Sequence, residues 1–266
     1  GTLQLEDTCQ YRLNSHGSGL YRNGKMILEG GAELDLVLYH NDATARFMYL
    51  HSERADDHLL QLIGLSRDDV GGAEELRLPG QLCLGADRAN LIGQAIRGML
   101  GAPDLRASLA QQRQENIAIF PIAREGLKYQ VTEAIFENHG YYCDEIILDA
   151  HHVFDQSVPV YSRKVEMTLF KDKDLDQQQH ENITTAFIAD SIASGLVMRE
   201  VIEQVFSRFH HIQQVEVISP LATIRGLCRI ARRGAMQHIP VRLHVFETLL
   251  NALPPDYYFS AHINLP

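Results

Sequence analysis

The stretch AFIADSIASG, residues 186–195, runs from apolar residues to one acid and then to small residues. A short apolar run bounded by turn residues is typical of a buried strand. After Gly195, apolar residues return at helical spacing, which predicts a helix over residues 195–209. The stretch therefore predicts a buried strand, a loop over 190–195 and a helix, which together form a repeating unit of a parallel sheet.

The same alternation of strand and helix patterns continues from residue 86 towards the end of the chain. We predict strands at 116–122, 144–149, 163–170, 215–218, 240–245 and 257–262, and helices at 88–100, 126–140 and 221–233. With 45% apolar residues, the chain can bury a large core. We expect an α/β fold in which helices flank a mostly parallel sheet.

The first 85 residues are predicted to be a strand-rich extension of a domain that spans residues 86–266. Asn23 and Gly24 lie between two strand patterns and indicate a hairpin turn, and Asn41 and Asp42 suggest another. A short helix is predicted at 53–63, and the turn-rich stretch 68–80 indicates a boundary. We expect this extension to cover the site as a hood or to mediate dimer contacts.

Bulk composition excludes several classes of protein. The net charge of −10 argues against general nucleic-acid binding, and no apolar run is long enough to span a membrane. Four widely spaced cysteines, without a secretion signal, predict reduced thiols in a cytoplasm. His151 and His152, near Asp149 and Asp155, match no metal-binding motif, so we predict no protein metal site.

The loop 190–195 carries residues suited to a phosphorylated sugar. Small residues at a helix start let a phosphate approach free N–H groups, and Gly195 removes a Cβ from that path. Ser191 and Ser194 add hydroxyl groups, and Asp190 can accept hydrogen bonds from sugar hydroxyls. The alternative is structural: Ser194 caps the helix and Asp190 simply ends the strand.

Three segments together resemble one enzyme family. AFIADSIASG resembles the phosphoribosyl pyrophosphate (PRPP) signature of type I phosphoribosyltransferases. FPIAREGL, residues 120–127, resembles the pyrophosphate-binding segment of uracil phosphoribosyltransferases, and VISPLATIRGLCRIA, residues 217–231, is similar to the strand and helix that follow their PRPP loop. The resemblance covers residues 88–262. Ala189 stands where the family usually has an acid, and the family's uracil-recognition segment has no counterpart.

This resemblance implies a phosphoribosyltransferase that moves phosphoribose from PRPP to a nitrogenous acceptor, such as uracil, and releases pyrophosphate. It implies Mg²⁺ carried in with PRPP, a homodimer, a cytoplasmic location and a role in nucleotide salvage. Small molecules are the expected partners, and neither nucleic acid nor a membrane is expected. The implied catalytic residues are Arg124 and Asp190. The implied substrate-binding residues are Glu125, Gly126, Arg163, Lys164, Ser191, Ile192, Ala193, Ser194 and Gly195.

Other interpretations of these residues remain open at this stage. Arg124 could form a surface ion pair, and Arg163 and Lys164 could belong to a solvated strand start. The whole protein could be a non-catalytic sensor of PRPP or a nucleotide, whereas the absence of GxGxxG after a strand argues against a dehydrogenase. Four arginines of the helix predicted at 221–233 form either a salt-bridged surface face or a contact patch for an anionic partner: Arg225, Arg229, Arg232 and Arg233.

Overall fold

The structure, a computed structural model, describes residues 1–13, 18–51, 75–77, 85–155, 157, 162–170, 174–247 and 249–250. The strands are β1 (Thr2–Leu5), β2 (Cys9–Arg12), β3 (Ser18–Ile27), β4 (Glu33–His40), β5 (Tyr49–His51), β6 (Glu75–Arg77), β7 (Ile117–Pro121), β8 (Asp144–Glu145), β9 (Leu148–Asp155), β10 (Ser162–Phe170), β11 (Thr185–Ala189), β12 (Gln214–Ile218) and β13 (Val241–Phe246). The helices are α1 (Asp42–Met48), α2 (Gly85–Leu100), α3 (Pro103–Ala110), α4 (Glu125–Lys128), α5 (Val131–His139), α6 (Gln177–Asn182), α7 (Leu196–Arg208) and α8 (Ile224–Gln237).

A nine-stranded sheet forms the centre of the fold. Its order is β1-β3-β4-β13-β12-β11-β7-β8, and β2 also pairs with β3. All pairs from β4 to β8 are parallel, whereas the pairs among β1 to β4 are antiparallel. The predicted α/β fold with a mostly parallel sheet is confirmed. Because β4 pairs with β13, the first strands of the chain continue this sheet.

Both faces of the sheet are buried, which explains the apolar runs in the sequence. All five residues of β7 and of β11 are buried. Phe120 and Ile188 face one core, while Ile119 and Phe187 face the other, as the two-residue repeat of a strand requires. Strands covered on both faces are typical of parallel sheets. The carboxyl ends of β7, β11 and β12 therefore meet at one edge, in register.

The hairpin turn predicted at Asn23 and Gly24 is wrong. These residues lie inside the continuous strand β3, and the chain reverses later, where Leu28 N–H donates to Ala32 O at 2.8 Å. A Cβ on Gly24 would lie 2.7 Å from the Leu5 side chain. This glycine therefore permits close approach of β1 and does not form a turn.

The turn predicted around Asn41 and Asp42 is also wrong, because Asn41 precedes helix α1. Its side-chain oxygen accepts from Thr44 N–H at 2.9 Å, and Thr44 Oγ1 accepts from Asn41 N–H at 2.8 Å. This reciprocal pair of bonds is how a helix start satisfies free donors. A polar pair after a strand thus begins a helix here.

The helix predicted over 126–140 is interrupted. It consists of α4 and α5, and between them Gln130 has a φ of 52°, in the left-handed region. The predicted helix at 53–63, the predicted strand at 257–262 and most of the predicted boundary at 68–80 lie outside the described residues. In the ranges that the structure describes, no helix is long and apolar enough to cross a membrane.

A charged network is buried beside the central strands. Glu216 accepts from Arg242 through both carboxylate oxygens, at 2.9 and 2.7 Å, and lies 2.6 Å from His244 Nε2. Burial lowers the pKa of His244, so the ring is neutral. Its proton lies on Nε2, which faces Glu216. Nδ1 accepts a hydrogen bond from the Tyr39 hydroxyl at 2.8 Å. Burial opposes ionisation of Glu216, but His244 and Arg242 outweigh it and hold its pKa below the usual range.

Candidate functional site

The loop 190–195 leaves the sheet at the carboxyl end of β11, between β7 and β12. Asp190 N–H donates to Ile218 O at 3.2 Å, and Asp190 Oδ1 accepts from Ser191 N–H at 2.9 Å. Ile192 then pairs in parallel with Ala222. In open α/β sheets, ligands bind at this edge, beyond the carboxyl ends of the strands.

The carbonyl groups of the loop are held by the start of helix α8. Thr223 Oγ1 donates to Ala193 O, and Arg229 Nη1 donates to Ser194 O at 2.5 Å. In a planar trans peptide, the C=O of one residue and the N–H of the next point in opposite directions. The N–H groups of Ser194 and Gly195 therefore point away from α8.

Several backbone N–H groups of this loop are without a hydrogen-bond acceptor in the described part of the chain. In the described part of the chain, the N–H groups of Ala193, Ser194 and Gly195 donate no hydrogen bond. Helix α7 begins directly after Gly195 and adds the positive end of its dipole. Ser194 Oγ accepts from Leu196 N–H at 3.3 Å, but Gly195 is the N-cap and has no capping side chain. This arrangement suits an anion better than a closed helix cap.

Gly195 is required for two reasons. Its φ of 77° is in the left-handed region, which favours glycine. A Cβ at this position would also lie 2.6 Å from the carbonyl oxygen of Gly226, in the first turn of α8. The sequence predicted the glycine as a path for phosphate, whereas its contact with Gly226 depends on the tertiary structure.

A second loop, around Arg124, follows β7 at the same edge of the sheet. Arg124 is exposed and has a φ of 73° and a ψ of −84°, a costly conformation for a residue with a side chain. Ala123 N–H donates to Leu148 O at 2.5 Å, and Gly126 N–H donates to Ile122 O at 2.9 Å. Backbone strain of this kind is concentrated at functional sites.

The two loops touch each other. Ile122 N–H donates to Ala189 O at 3.0 Å, and a Cβ on Gly126 would lie only 2.0 Å from the same oxygen. Gly126 therefore lets the Arg124 loop pack directly on the strand end that carries Asp190. Two segments separated by about 65 residues in sequence are thus in contact, with Arg124 and Glu125 on one and the residues predicted at 190–195 on the other.

Asp190 and Glu125 form a pair of carboxyl groups at this site. Burial raises the pKa of Asp190 to about 8, the negative charge of Glu125 acts in the same direction, and the hydrogen bond from Ser191 N–H opposes both. Ala189, which precedes Asp190 at the end of β11, is fully buried. A second carboxyl group is thus present near Asp190, on the Arg124 loop and not on the strand.

The raised pKa of Asp190 predicts a pH-dependent stability. Between pH 4 and 8 the folded protein keeps a proton that the unfolded chain releases, so the free energy of unfolding falls as the pH rises. Asp190→Asn resembles the protonated form and removes this trend. Urea unfolding should show the variant gaining roughly 4 kcal/mol relative to wild type between pH 5 and 9, since each pH unit below the folded pKa corresponds to about 1.4 kcal/mol.

The exposed Asp7 provides the control for this experiment. Asp7→Asn should leave the pH dependence of the wild type unchanged. Parallel stability curves for Asp190→Asn and the wild type would contradict a protonated Asp190 in the ligand-free protein.

Arg163 and Lys164 lie on a separate antiparallel ribbon of β9 and β10, opposite Phe154 and Val153. The ribbon packs against α7, and Leu148 at its base accepts the bond from Ala123 beside Arg124. The ribbon thus starts next to the site. A role of Arg163 and Lys164 in substrate binding stays a prediction.

Comparisons with known proteins give distant structural similarities. No protein-family profile matches the chain, and no curated protein matches it. A hypoxanthine phosphoribosyltransferase from Staphylococcus aureus is 14% identical over 48% of this chain, with a TM-score of 0.36, and the match spans 64% of that enzyme's length. A hypothetical protein from Neisseria gonorrhoeae with bound ppGpp is 10% identical over 66% of this chain and 91% of its own, with a TM-score of 0.38. Similarities of this extent concern the fold and say nothing about the ligand of this chain.

Proposed function

We propose that the chain transfers phosphoribose from PRPP to a nitrogenous acceptor and releases pyrophosphate. The supporting observation is the contact between the strained Arg124 loop and the loop 190–195, at which Gly126 packs on Ala189 O. This contact groups a cation, two carboxyl groups and free N–H groups at one sheet edge. PRPP carries a phosphate, sugar hydroxyls and a pyrophosphate, and each has a matching group here.

The 5′-phosphate would lie at the N–H groups of Ser194 and Gly195, which point away from α8. Anchoring this remote group would orient the sugar and limit its motion before reaction. Asp190 and Glu125 would accept hydrogen bonds from the ribose hydroxyls. Binding is expected to release a proton near neutral pH, because the ionised form of Asp190 is the better acceptor.

The reaction would break the bond between ribose C1 and the pyrophosphate oxygen, and both electrons would leave with pyrophosphate. The acceptor nitrogen would supply the pair for the new C1–N bond, and its proton would pass to water. Arg124 is exposed at the loop and would stabilise the leaving pyrophosphate through charge-assisted hydrogen bonds.

Mg²⁺ fits this site as an ion that enters with the substrate. In the ranges that the structure describes, no group of three or more His, Cys, Asp or Glu is placed to hold a metal. Asp190 and Glu125 offer the hard oxygen ligands that Mg²⁺ prefers and would supplement those of PRPP. When bound, the ion would neutralise charge on the pyrophosphate. Homodimerisation, a cytoplasmic location and a role in nucleotide salvage remain proposals that follow from the family resemblance.

A second candidate function is a non-catalytic sensor of PRPP or a nucleotide. The observation that favours it is Ala189, which leaves the loop 190–195 with a single carboxylate. Pyrophosphate release from PRPP and Mg²⁺, measured with a panel of nucleobases and amines, separates the two functions. Release that depends on an acceptor supports the transferase, whereas PRPP binding without turnover for any acceptor supports the sensor.

Arg124→Ala tests the proposed role of this arginine. We expect pyrophosphate affinity to fall roughly 10- to 100-fold, because each hydrogen bond to a charged group contributes about 1.5–3 kcal/mol. Affinity for a nucleoside monophosphate should change less than about twofold, because that ligand has no pyrophosphate. Calorimetric titration measures both affinities.

Arg113→Ala is the matched control, since Arg113 is a highly exposed arginine paired with Glu115 outside the site. It should leave both affinities unchanged. Equal losses for the two ligands in Arg124→Ala would show that Arg124 does not bind pyrophosphate.

A further inference from the structure

Three arginines lie together where α7 and α8 begin. Arg199 is in the first turn of α7, and Arg225 and Arg229 are in the first two turns of α8. The two helix starts meet where Gly195 packs on Gly226. Arg229 Nη1 is fixed there by its bond to Ser194 O at 2.5 Å.

These arginines have no acidic partner among the described residues. Arg233, further along α8, instead forms an ion pair with Glu203 at 3.3 Å. The arginines that the sequence places on this helix therefore differ in their ion pairs. Arg233 forms a salt bridge, whereas Arg225 and Arg229 form none among the described residues. In a chain with a net charge of −10, unpaired arginines side by side need an explanation.

Two further observations fit a cluster that lacks a counter-charge. The Nε of Arg199 is shielded from solvent and has no hydrogen-bond partner in the described structure. Buried donors without partners are rare in proteins and costly. Partial burial, with the charges of Arg225 and Arg199, also lowers the pKa of Arg229. An anion at the cluster would remove both costs.

The cluster is distinct from the phosphate-binding face of the loop 190–195. Arg229 contacts the carbonyl side of the loop at Ser194, whereas the N–H of Gly195 points the opposite way. A ligand at those N–H groups would therefore not satisfy the arginines. The cluster needs an anion of its own.

We propose that Arg199, Arg225 and Arg229 form a second anion site that binds a compact polyphosphate, such as inorganic tripolyphosphate or the polyphosphate end of a nucleotide. Three guanidinium groups within one or two helical turns match several phosphoryl groups held close together. The acidic chain as a whole would repel an extended polyanion, which disfavours nucleic acid. The site does not depend on the proposed transfer reaction.

Titration of tripolyphosphate into the full-length Arg124→Ala protein tests this site without interference from the proposed pyrophosphate loop. We expect tripolyphosphate to bind, and binding should weaken as salt is added. Arg199→Gln and Arg225→Gln, added singly to this background, should each weaken binding about tenfold or more. Arg229 is left intact because it also holds the loop.

Arg232→Gln is the matched control, because Arg232 is an exposed arginine on the same helix. It should change the affinity less than about twofold, and thermal unfolding should show that all variants are folded. Undiminished binding in the Arg199 and Arg225 variants, or no binding by the Arg124→Ala protein itself, would overturn the proposal. Tighter binding of a single-stranded 20-nucleotide DNA, lost in the same variants, would replace polyphosphate with nucleic acid as the ligand. None of these outcomes bears on turnover of PRPP.

Discussion

Gly126→Ala is expected to destabilise the protein by about 3 kcal/mol and to abolish measurable pyrophosphate binding. The new Cβ would lie 2.0 Å from Ala189 O, and this backbone atom is fixed by its bond from Ile122 N–H. The Arg124 loop must therefore move away from the strand end that carries Asp190. Urea unfolding and calorimetric titration with pyrophosphate measure the two effects.

Gly93→Ala is the matched control, because Gly93 also lies in a helix. Its new Cβ would meet side-chain atoms and no backbone: the end of the Arg97 side chain at 3.2 Å and Gln130 Oε1 at 4.0 Å. Alanine is favoured over glycine inside a helix, so this variant should be as stable as wild type or up to about 1 kcal/mol more stable. If Gly126→Ala behaved in the same way and still bound pyrophosphate, the contact between the two loops would not be needed for function.

The second large effect is expected at Glu216, which is 2% exposed. Removing one partner of a buried ion pair leaves the other charge without compensation, which costs about 3–5 kcal/mol. Glu216→Ala would leave Arg242 unpaired and His244 Nε2 without an acceptor. Urea unfolding at pH 7 should show this loss.

Glu137→Ala provides the comparison, because Glu137 forms an exposed pair with Arg97 at 2.6 Å. Exposed pairs typically contribute less than about 1 kcal/mol. The two substitutions remove the same carboxyl group from a buried network and from an exposed pair. Similar losses of unfolding free energy for both substitutions would contradict a stabilising role of Glu216 as the buried partner of Arg242 and His244.

The strand, loop and helix around Asp190 could be predicted from sequence because each has a strong local pattern. The buried run before Asp190 corresponds to β11, and the helix predicted at 195–209 corresponds to α7, Leu196–Arg208. The parallel sheet follows from such units repeating along the chain. Local patterns therefore identify the main elements of the domain.

Predictions failed where a local signal has more than one structural use. Gly24 resembles a turn residue, but it permits the approach of Leu5 from another strand. Asn41 also resembles a turn residue, and it begins a helix. Gln130 gives no sequence signal for the left-handed conformation that separates α4 from α5. Each outcome depends on neighbours that are distant in sequence.

The sequence proposed the members of the candidate site but not the contacts between them. The motifs identified Arg124 and the loop 190–195, but not that Gly126 would touch Ala189 or that Glu125 would act on Asp190. The grouping of Arg199 with Arg225 and Arg229 also requires the packing of two helices. These contacts join distant segments, so a single sequence holds no direct signal for them.

A crystal structure of the protein with PRPP and Mg²⁺ would show whether the loop 190–195 and Arg124 hold the two phosphorylated ends of this ligand. The 5′-phosphate is expected within hydrogen-bond distance of the Ser194 and Gly195 N–H groups, with the pyrophosphate at Arg124. A PRPP molecule bound elsewhere, with those N–H groups still without a partner, would contradict this expectation.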